Sequence, residues 1–334
     1  MSDRIQIKGI GELIAAVPNV LGFVPELSTL LLLFRGDRLV WTARRDFGAR
    51  QLAVAAEALA KTGEADRVTV VIVADSTPFA EVVAEAAKTK AALLDLGMDV
   101  TGMYYTPRID GGQQWTEVET LQCGTIPAPE TTEVAVTYAA AGKIVAAGRD
   151  EIAARYRRGD LIPSEVLAAA LDFRHANRET FAGIVLADLA HVVRSRTEPD
   201  VDLIARTSVL LLTDITARDA MLGLVRVDSR VATETTAAIA RRLDGHGRVA
   251  ALTVAGFTAY AHGDGVAAGY ALAEARAGSQ ALLMCDTKLL GLLEQALRAG
   301  LEPARIAQLA ETGVRIARES YRVNLGEPES GHWH

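Results

Sequence analysis

The chain carries two rhythms of apolar and polar residues, and they change over near residue 150. Before that point the apolar residues come in short, dense runs broken by Gly, Pro and Asp. Ser28 to Phe34 is continuously apolar after its first two positions, which predicts a strand buried on both faces. Leu39 to Ala43 predicts a second strand. Between them, Arg35-Gly36-Asp37-Arg38 fits a tight hairpin with positive φ at the glycine. Ahead of this hairpin, Ile10, Leu13, Ile14 and Val17 fall at helical spacing over Gly9 to Val17, with Pro18 expected to stop or bend the helix. Leu21-Gly22-Phe23-Val24-Pro25 then reads as a rigid turn. A helix is expected from about Ala49 to Thr62, closed by Gly63, then a buried strand from Val68 to Ala74. Thr77 and Pro78 fit the cap and first position of a further helix that ends at Gly97. Met98 to Thr106 is the next strand, so a crossover unit with parallel pairing is expected. Ile109 to Trp115 predicts an Asp-Gly or Gly-Gly hairpin, the segment containing Cys123-Gly124-Thr125 a loop, and Thr132 to Ala147 a helix.

Beyond Arg149 the period becomes helical. Helices are expected over Pro163–Ala176, Arg178–Arg196, Pro199–Thr213, Ala217–Val227, Arg230–Leu243, Arg248–His262, Val266–Gly278, Ala281–Ala299 and Pro303–Ser320. Val201, Ile204, Ala205, Ser208, Leu211, Leu212 and Ile215 form one apolar stripe, and Thr216 with Asp219 resembles a capping box. The fold class is therefore an α/β N-terminal domain, a mixed sheet with a hairpin and crossover helices, followed by an all-α C-terminal domain. The expected boundaries are 1–155, 156–323, and a disordered polar tail at 324–334.

Composition narrows the picture. Of 334 residues, half are hydrophobic and 5% aromatic, so the core is built from small and aliphatic side chains. The net charge of −7 argues against a general affinity for nucleic acid. Arg155, Arg157 and Arg158 cluster, but read as a solvated linker. The N-terminus lacks a signal pattern and the longest apolar run is too short to span a bilayer. Two distant cysteines fit a reducing compartment, so a cytoplasmic protein without membrane contact is expected.

Gly11-Glu12-Leu13-Ile14-Ala15-Ala16-Val17-Pro18, with Leu21-Gly22-Phe23-Val24-Pro25 and Ser28, resembles the opening of domain-of-unknown-function family 4192, found in actinobacteria and their phages. Asp110-Gly111-Gly112, Trp115 and Cys123 resemble the family's central segment. Asp214, Arg218-Asp219, Gly263-Asp264-Gly265 and Ala268 resemble its later positions. The likeness runs from about Gly9 to Pro303. Members often carry a Trp pair and several cysteines in the middle. Here Gln114 precedes a single Trp115 and Cys123 stands alone, so a metal site built on those cysteines would be lost. The resemblance implies a fold but no activity. The region from Tyr260 to Pro303 also resembles a tetratricopeptide-like helical pair, with Gly263, Ala268, Ala271 and Leu272 on the first helix and Ala281, Leu290 and Leu293 on the second.

Candidate chemistry sits at the strand ends. Asp75 follows a buried strand, where open α/β sheets bind ligands; the ordinary reading is a turn residue. Arg108, Asp110 and Trp115 could hold an anion and stack a planar group; the ordinary reading is a surface ion pair beside a packed indole. Cys123 would need a nearby base to act as a nucleophile; the ordinary reading is a semi-buried thiol. With Phe23 and Ser28, these residues make up the candidate ligand site. No phosphate loop, nucleophile elbow, His-Glu-x-x-His or Cys-x-x-Cys occurs. These absences lean against an enzyme, and no metal or cofactor is expected. The first expectation is a non-catalytic protein-interaction module or homo-oligomer. The alternative is a small-molecule binder or enzyme with its site where Phe23–Ser28, Asp75, Arg108–Trp115 and Cys123 converge.

Overall fold

The computed structural model describes residues 7–49, 65–140 and 145–326. The helix expected over Ala49–Thr62 and most of the expected tail lie outside them. The chain divides into two compact units. One comprises residues 1–151 with Arg298–Gly300, and the other Ile152–Leu297 with 301–334.

The first unit is built on a six-stranded mixed sheet. Its strands are β1 (Ser28–Arg35), β2 (Arg38–Asp46), β3 (Arg67–Val73), β4 (Asp99–Thr106), β5 (Gln114–Glu117) and β6 (Cys123–Thr125), in the order β2-β1-β3-β4-β5-β6. β1 and β2 form the expected hairpin, with Gly36 at φ 57°. Among the described strands β3 and β4 pair in parallel, joined through helix α2 (Phe79–Asp95); the other described pairs are antiparallel. Leu31, Leu33, Val68, Val70, Ile72 and Met103 share a core with Val82, Ala86 and Leu93 of α2. Leu30, Leu32 and Val71 of the opposite face are equally buried, which is why β1 reads as an unbroken apolar run.

Several local expectations are corrected. Helix α1 (Ile10–Leu21) runs through Pro18 and ends at Gly22, φ 79°, whose N–H donates to the Pro18 carbonyl at 2.8 Å. A proline removes one helical donor, but all of Leu13 to Asn19 is buried, and that packing holds the helix together. Thr77 does not cap α2; Pro78 occupies the cap position without a side-chain bond. Cys123–Thr125 is a strand, not a loop. A short 3-10 turn (Pro129–Thr131) precedes α3 (Glu133–Ala140). The helix expected to reach Ala147 does not, because Ala146 is extended and bridges Phe23.

Helix α4 (Arg149–Ala154) spans the division at Ile152, and the described residues of the second unit are helical. That unit contains α5 (Ser164–Ala176), α6 (Phe181–Ser195), α7 (Val201–Thr213), α8 (Ile215–Met221), a 3-10 segment (Leu222–Arg226), α9 (Ser229–Arg241), α10 (Gly245–His262), α11 (Gly265–Gln280), α12 (Lys288–Arg298), α13 (Pro303–Ala307) and α14 (Leu309–Tyr321). α10 is the central helix, buried on every side from Ala251 to Tyr260. Small residues bring α11 against it: a Cβ at Gly256 would sit 2.6 Å from the Leu272 side chain. The helix expected from Ala281 begins only at Lys288, after an exposed turn. Beside α11, α12 is held by Leu297 against Gly265 and Gly269 and by Arg276–Glu294 at 2.6 Å. The expected helix Pro303–Ser320 is broken at Gln308. The buried stripe beginning at Val201 ends at Leu211; Leu212, still in α7, is exposed, and Asp214 stops α7 before Ile215 and caps α8 by accepting from the Ala217 N–H. That bond replaces the capping box expected at Thr216.

Candidate functional site

Register brings Ser28, Val73 and Thr106 side by side across β1, β3 and β4. This is the end of the sheet where the parallel pair stops, the place where α/β sheets hold ligands. The Ser28 hydroxyl is buried; it donates to the Glu26 carbonyl at 2.6 Å and accepts from Arg44 Nε at 2.8 Å. Arg44 also holds Asp46 at 2.6 Å, and Arg149 reaches the same carboxylate at 3.1 Å. The hydrogen bond from Arg44 holds the Asp46 carboxyl below its ordinary value, against burial, with Arg149 adding to the effect. Asp75 is exposed beyond β3 and accepts from the Ser76 N–H at 2.9 Å. Ser76 sits at φ 56°, a left-handed conformation uncommon outside glycine. Thr106 Oγ1 donates to the carbonyls of Arg108 and Gln114, at 2.7 and 2.9 Å, which fixes the loop after β4. On that loop Arg108 and Asp110 form an exposed pair at 3.6 Å. Phe23 is buried, with the Val24 N–H donating to the Ala146 carbonyl at 3.1 Å.

Trp115 and Cys123 sit on opposite faces. Trp115 faces Gly124 across the β5–β6 ladder, and Cys123 faces Thr116; alternate strand residues point to opposite sides. The indole covers Gly124, where a Cβ would lie 2.5 Å from the ring, and meets Tyr104 edge-on at 5.6 Å. Gly11 of α1 packs beside it: a Cβ there would be 2.5 Å from the Thr125 carbonyl oxygen. The Gly11, Trp115 and Gly124 positions thus make a close junction between α1 and the last hairpin. Cys123 is exposed rather than semi-buried, its sulfur 3.6 Å from Thr116 Oγ1. Ser28, Asp75 and Arg108 therefore gather around one sheet end, whereas Trp115 and Cys123 belong to the last two strands.

The helical unit carries a second candidate surface. Leu212 and Ile215, at the α7–α8 corner, are 52% and 59% exposed. Leu283 and Met284, in the turn between α11 and α12, are 88% and 101% exposed. These positions are neighbours. His246 Nε2 lies 2.9 Å from the Leu283 carbonyl oxygen, and the adjacent Gly247 lies against Ser208 and Leu212. Arg218 of α8 bridges Asp219 at 2.9 Å and Asp286 at 3.1 Å. Asp286 accepts from the Lys288 backbone N–H at 3.1 Å; that bond first, and Arg218 after it, hold its carboxyl below the ordinary value. Sequence periodicity assigned Leu212 and Ile215 to the buried stripe and the 281–287 turn to a helix, so this surface was invisible before folding.

A family model described as a domain of unknown function, DUF4192, matches residues 11–304. The chain belongs to this family. No curated protein and no solved structure matches it. Among the described residues of this DUF4192 chain, no helix is long and apolar enough to cross a membrane. No group of three or more His, Cys, Asp or Glu among them could hold a metal ion.

The DUF4192 sheet also buries a charged pair that sequence reasoning missed. Arg45 of β2 meets Glu85 of α2 at 2.6 Å, with side chains 8% and 3% exposed. Thr29 donates to Glu85 at 2.8 Å, and Arg45 donates to Thr89 at 2.5 Å. Arg45 Nε is buried without a partner. One signal was available: Glu85 falls on the same helical stripe as Val82, Ala86 and Leu93, where a carboxylate needs a cation.

Proposed function

We propose that this DUF4192 protein is a non-catalytic protein-interaction or self-assembling module of an actinobacterium or its phage. Its helical unit presents the contact surface. The observation that carries this reading is the apolar patch of Leu212, Ile215, Leu283 and Met284. Large apolar side chains exposed singly are ordinary, but several on two neighbouring segments beside charged residues are what interaction sites present. The α/β unit serves as a compact platform.

A second reading, a small-molecule site at the strand ends, is supported by the gathering of Ser28, Asp75 and Arg108 beside the Arg44–Asp46–Arg149 network. Arg108 there supplies an exposed guanidinium suited to an anionic ligand.

Native mass spectrometry of the protein freshly purified from its own cells separates the two. The interaction reading expects a stoichiometric oligomer or protein complex without a retained small molecule. A monomer that carries a small molecule would sink it, and would favour the strand-end site if Asp75→Asn and Arg108→Ala released that molecule.

A further inference from the structure

We infer that the helical unit carries a groove for a helix and that residues 309–325 are its ligand in cis. α14 and the residues after it fill the groove, block it while docked, and leave it as one piece.

The seat is built for a helix that comes close. α14 packs on the 3-10 segment, α8 and α6. At two points the groove has no side chain. A Cβ at Gly223 would lie 2.8 Å from the Val314 nitrogen, and one at Gly183 of α6 would lie 3.0 Å from the Tyr321 carbonyl oxygen. The helix answers with Gly313, where a Cβ would lie 2.5 Å from the Gly223 nitrogen. Backbone thus rests on backbone, and a helix with a larger residue at that position does not fit. Ala310 and Ala317, one turn to either side, complete the buried face. A partner for this groove is therefore a helix with Gly or Ala at spacings of three and four, laid in by its small-residue face.

Polar groups clasp the segment at both ends. Glu311 meets Arg226 at 3.2 Å. The Tyr321 hydroxyl donates to Asp214 at 2.8 Å, and Arg194 donates to the Asn324 carbonyl at 2.5 Å. Val323 and Leu325 are buried, so the apolar anchor is the strap after α14 rather than the helix.

Release follows from how little the helix itself buries. Its fully buried positions, Ala310, Gly313 and Ala317, carry one methyl group or none, and Leu309 is 46% exposed. A helix of 13 residues is marginal when it stands free in water. α10, by contrast, is buried on every side from Ala251 to Tyr260. Elements with few buried apolar contacts open at lower free energy than the whole fold. Gly183, Asp214 and Gly223 of the groove also lie within the residues that the family model matches, 11–304, and the occupant follows them.

The test is peptide-resolved hydrogen exchange of the full-length chain, followed by binding of a fluorescein-labelled peptide of residues 308–326, read by anisotropy. In the parent, residues 309–325 should exchange together and faster than α10. Tyr321→Phe removes the bond to Asp214; it should speed that exchange roughly tenfold and leave α10 unchanged. The parent should bind the peptide poorly, because the tethered helix competes at a roughly millimolar effective concentration. Gly313→Leu cannot seat its own helix and should bind the peptide at least about tenfold more tightly. The same peptide carrying Gly313→Leu should bind neither chain. Exchange of α14 only in step with α10 overturns the inference, and so does a folded Gly313→Leu chain that takes the peptide no better than the parent. If circular dichroism shows that Gly313→Leu does not fold, the peptide is measured on Tyr321→Phe. Tighter binding than to the parent is expected there, and unchanged binding overturns the groove as a site.

Discussion

Two buried polar groups show how single residues shape this molecule. The Arg45–Glu85 pair lies between the sheet and α2, where removing one partner strands the other charge away from water. Glu85→Ala should therefore destabilise the protein by about 3–5 kcal/mol, read as a lowered urea midpoint. The double variant Arg45→Met, Glu85→Leu should recover most of that loss, because an apolar pair of similar volume needs no desolvation of charge. A double variant as unstable as the single one would refute this account. Tyr260 is the second case. It is fully buried in α10, and its hydroxyl donates to the carbonyls of Leu301 and Ala296 at 2.7 and 3.1 Å. Burial pushes its ionisation up to about 12. The folded state thus holds the proton more tightly than the unfolded chain, whose tyrosine titrates near 10. The associated stability is complete below about pH 10 and is lost as pH rises through about 12. Tyr260→Phe should lower stability at neutral pH, through the lost hydrogen bonds, and flatten the decline between pH 10 and 12. Circular dichroism along an alkaline titration checks both slopes. Glu85 has the identity of a surface residue, and only its place on the stripe of Val82, Ala86 and Leu93 hinted at burial; Tyr260 was legible only as one position of a helical pair.

At the scale of elements, close approach of backbones matters more than propensity. α14 lies against the 3-10 segment Leu222–Arg226, where a Cβ at Gly313 would be 2.5 Å from the Gly223 nitrogen and 2.9 Å from the Asp219 carbonyl oxygen. Alanine favours a helix over glycine by about 1 kcal/mol, so on propensity alone Gly313→Ala would stabilise. The backbone atoms in its way cannot rotate aside as a side chain could, and the net effect should be a loss of about 1–3 kcal/mol. A thermal melt that rises instead would show that α14 can shift outward without cost. The same logic accounts for Gly11 and Gly124 around Trp115. The sequence revealed these glycines as a motif, and only the structure revealed what presses on them. Element existence was legible wherever an apolar run or a helical stripe was long, as in β1, β3, α2 and α10. It failed where the deciding contact was distant. α1 continues through Pro18 because its surroundings bury it, and β6 is a strand because β5 pairs with it. Ile215 leaves the stripe because Asp214 starts a new helix, and Leu212, still in α7, is left exposed at its end.

At the scale of the whole molecule, the switch of period near residue 150 determined the fold class: dense apolar runs need a sheet covered on both sides, and a continuous three-to-four spacing needs helices packed on helices. The resemblance carried by Gly11 to Pro25 and by Asp110 to Cys123 agrees with the family match over residues 11–304. Strand order was not written in these patterns. β1 lies between β2 and β3, and among the described strands only β3 and β4 run parallel, because pairing is chosen by which surfaces can be buried together. The gathering of Ser28, Asp75 and Arg108 at one sheet end, and the placing of Trp115 and Cys123 on opposite faces, followed from register, which shifts every side chain when it moves by one residue. The exposed patch was equally out of reach, since exposure is a property of what fails to pack. Local sequence by itself determined the class and the elements with long apolar runs or helical stripes, because periodicity and turn chemistry act between near neighbours. Tertiary structure alone decided the buried ion pair, the glycine contacts and the open apolar surface, because each depends on residues far apart in the chain meeting, or not meeting, in space.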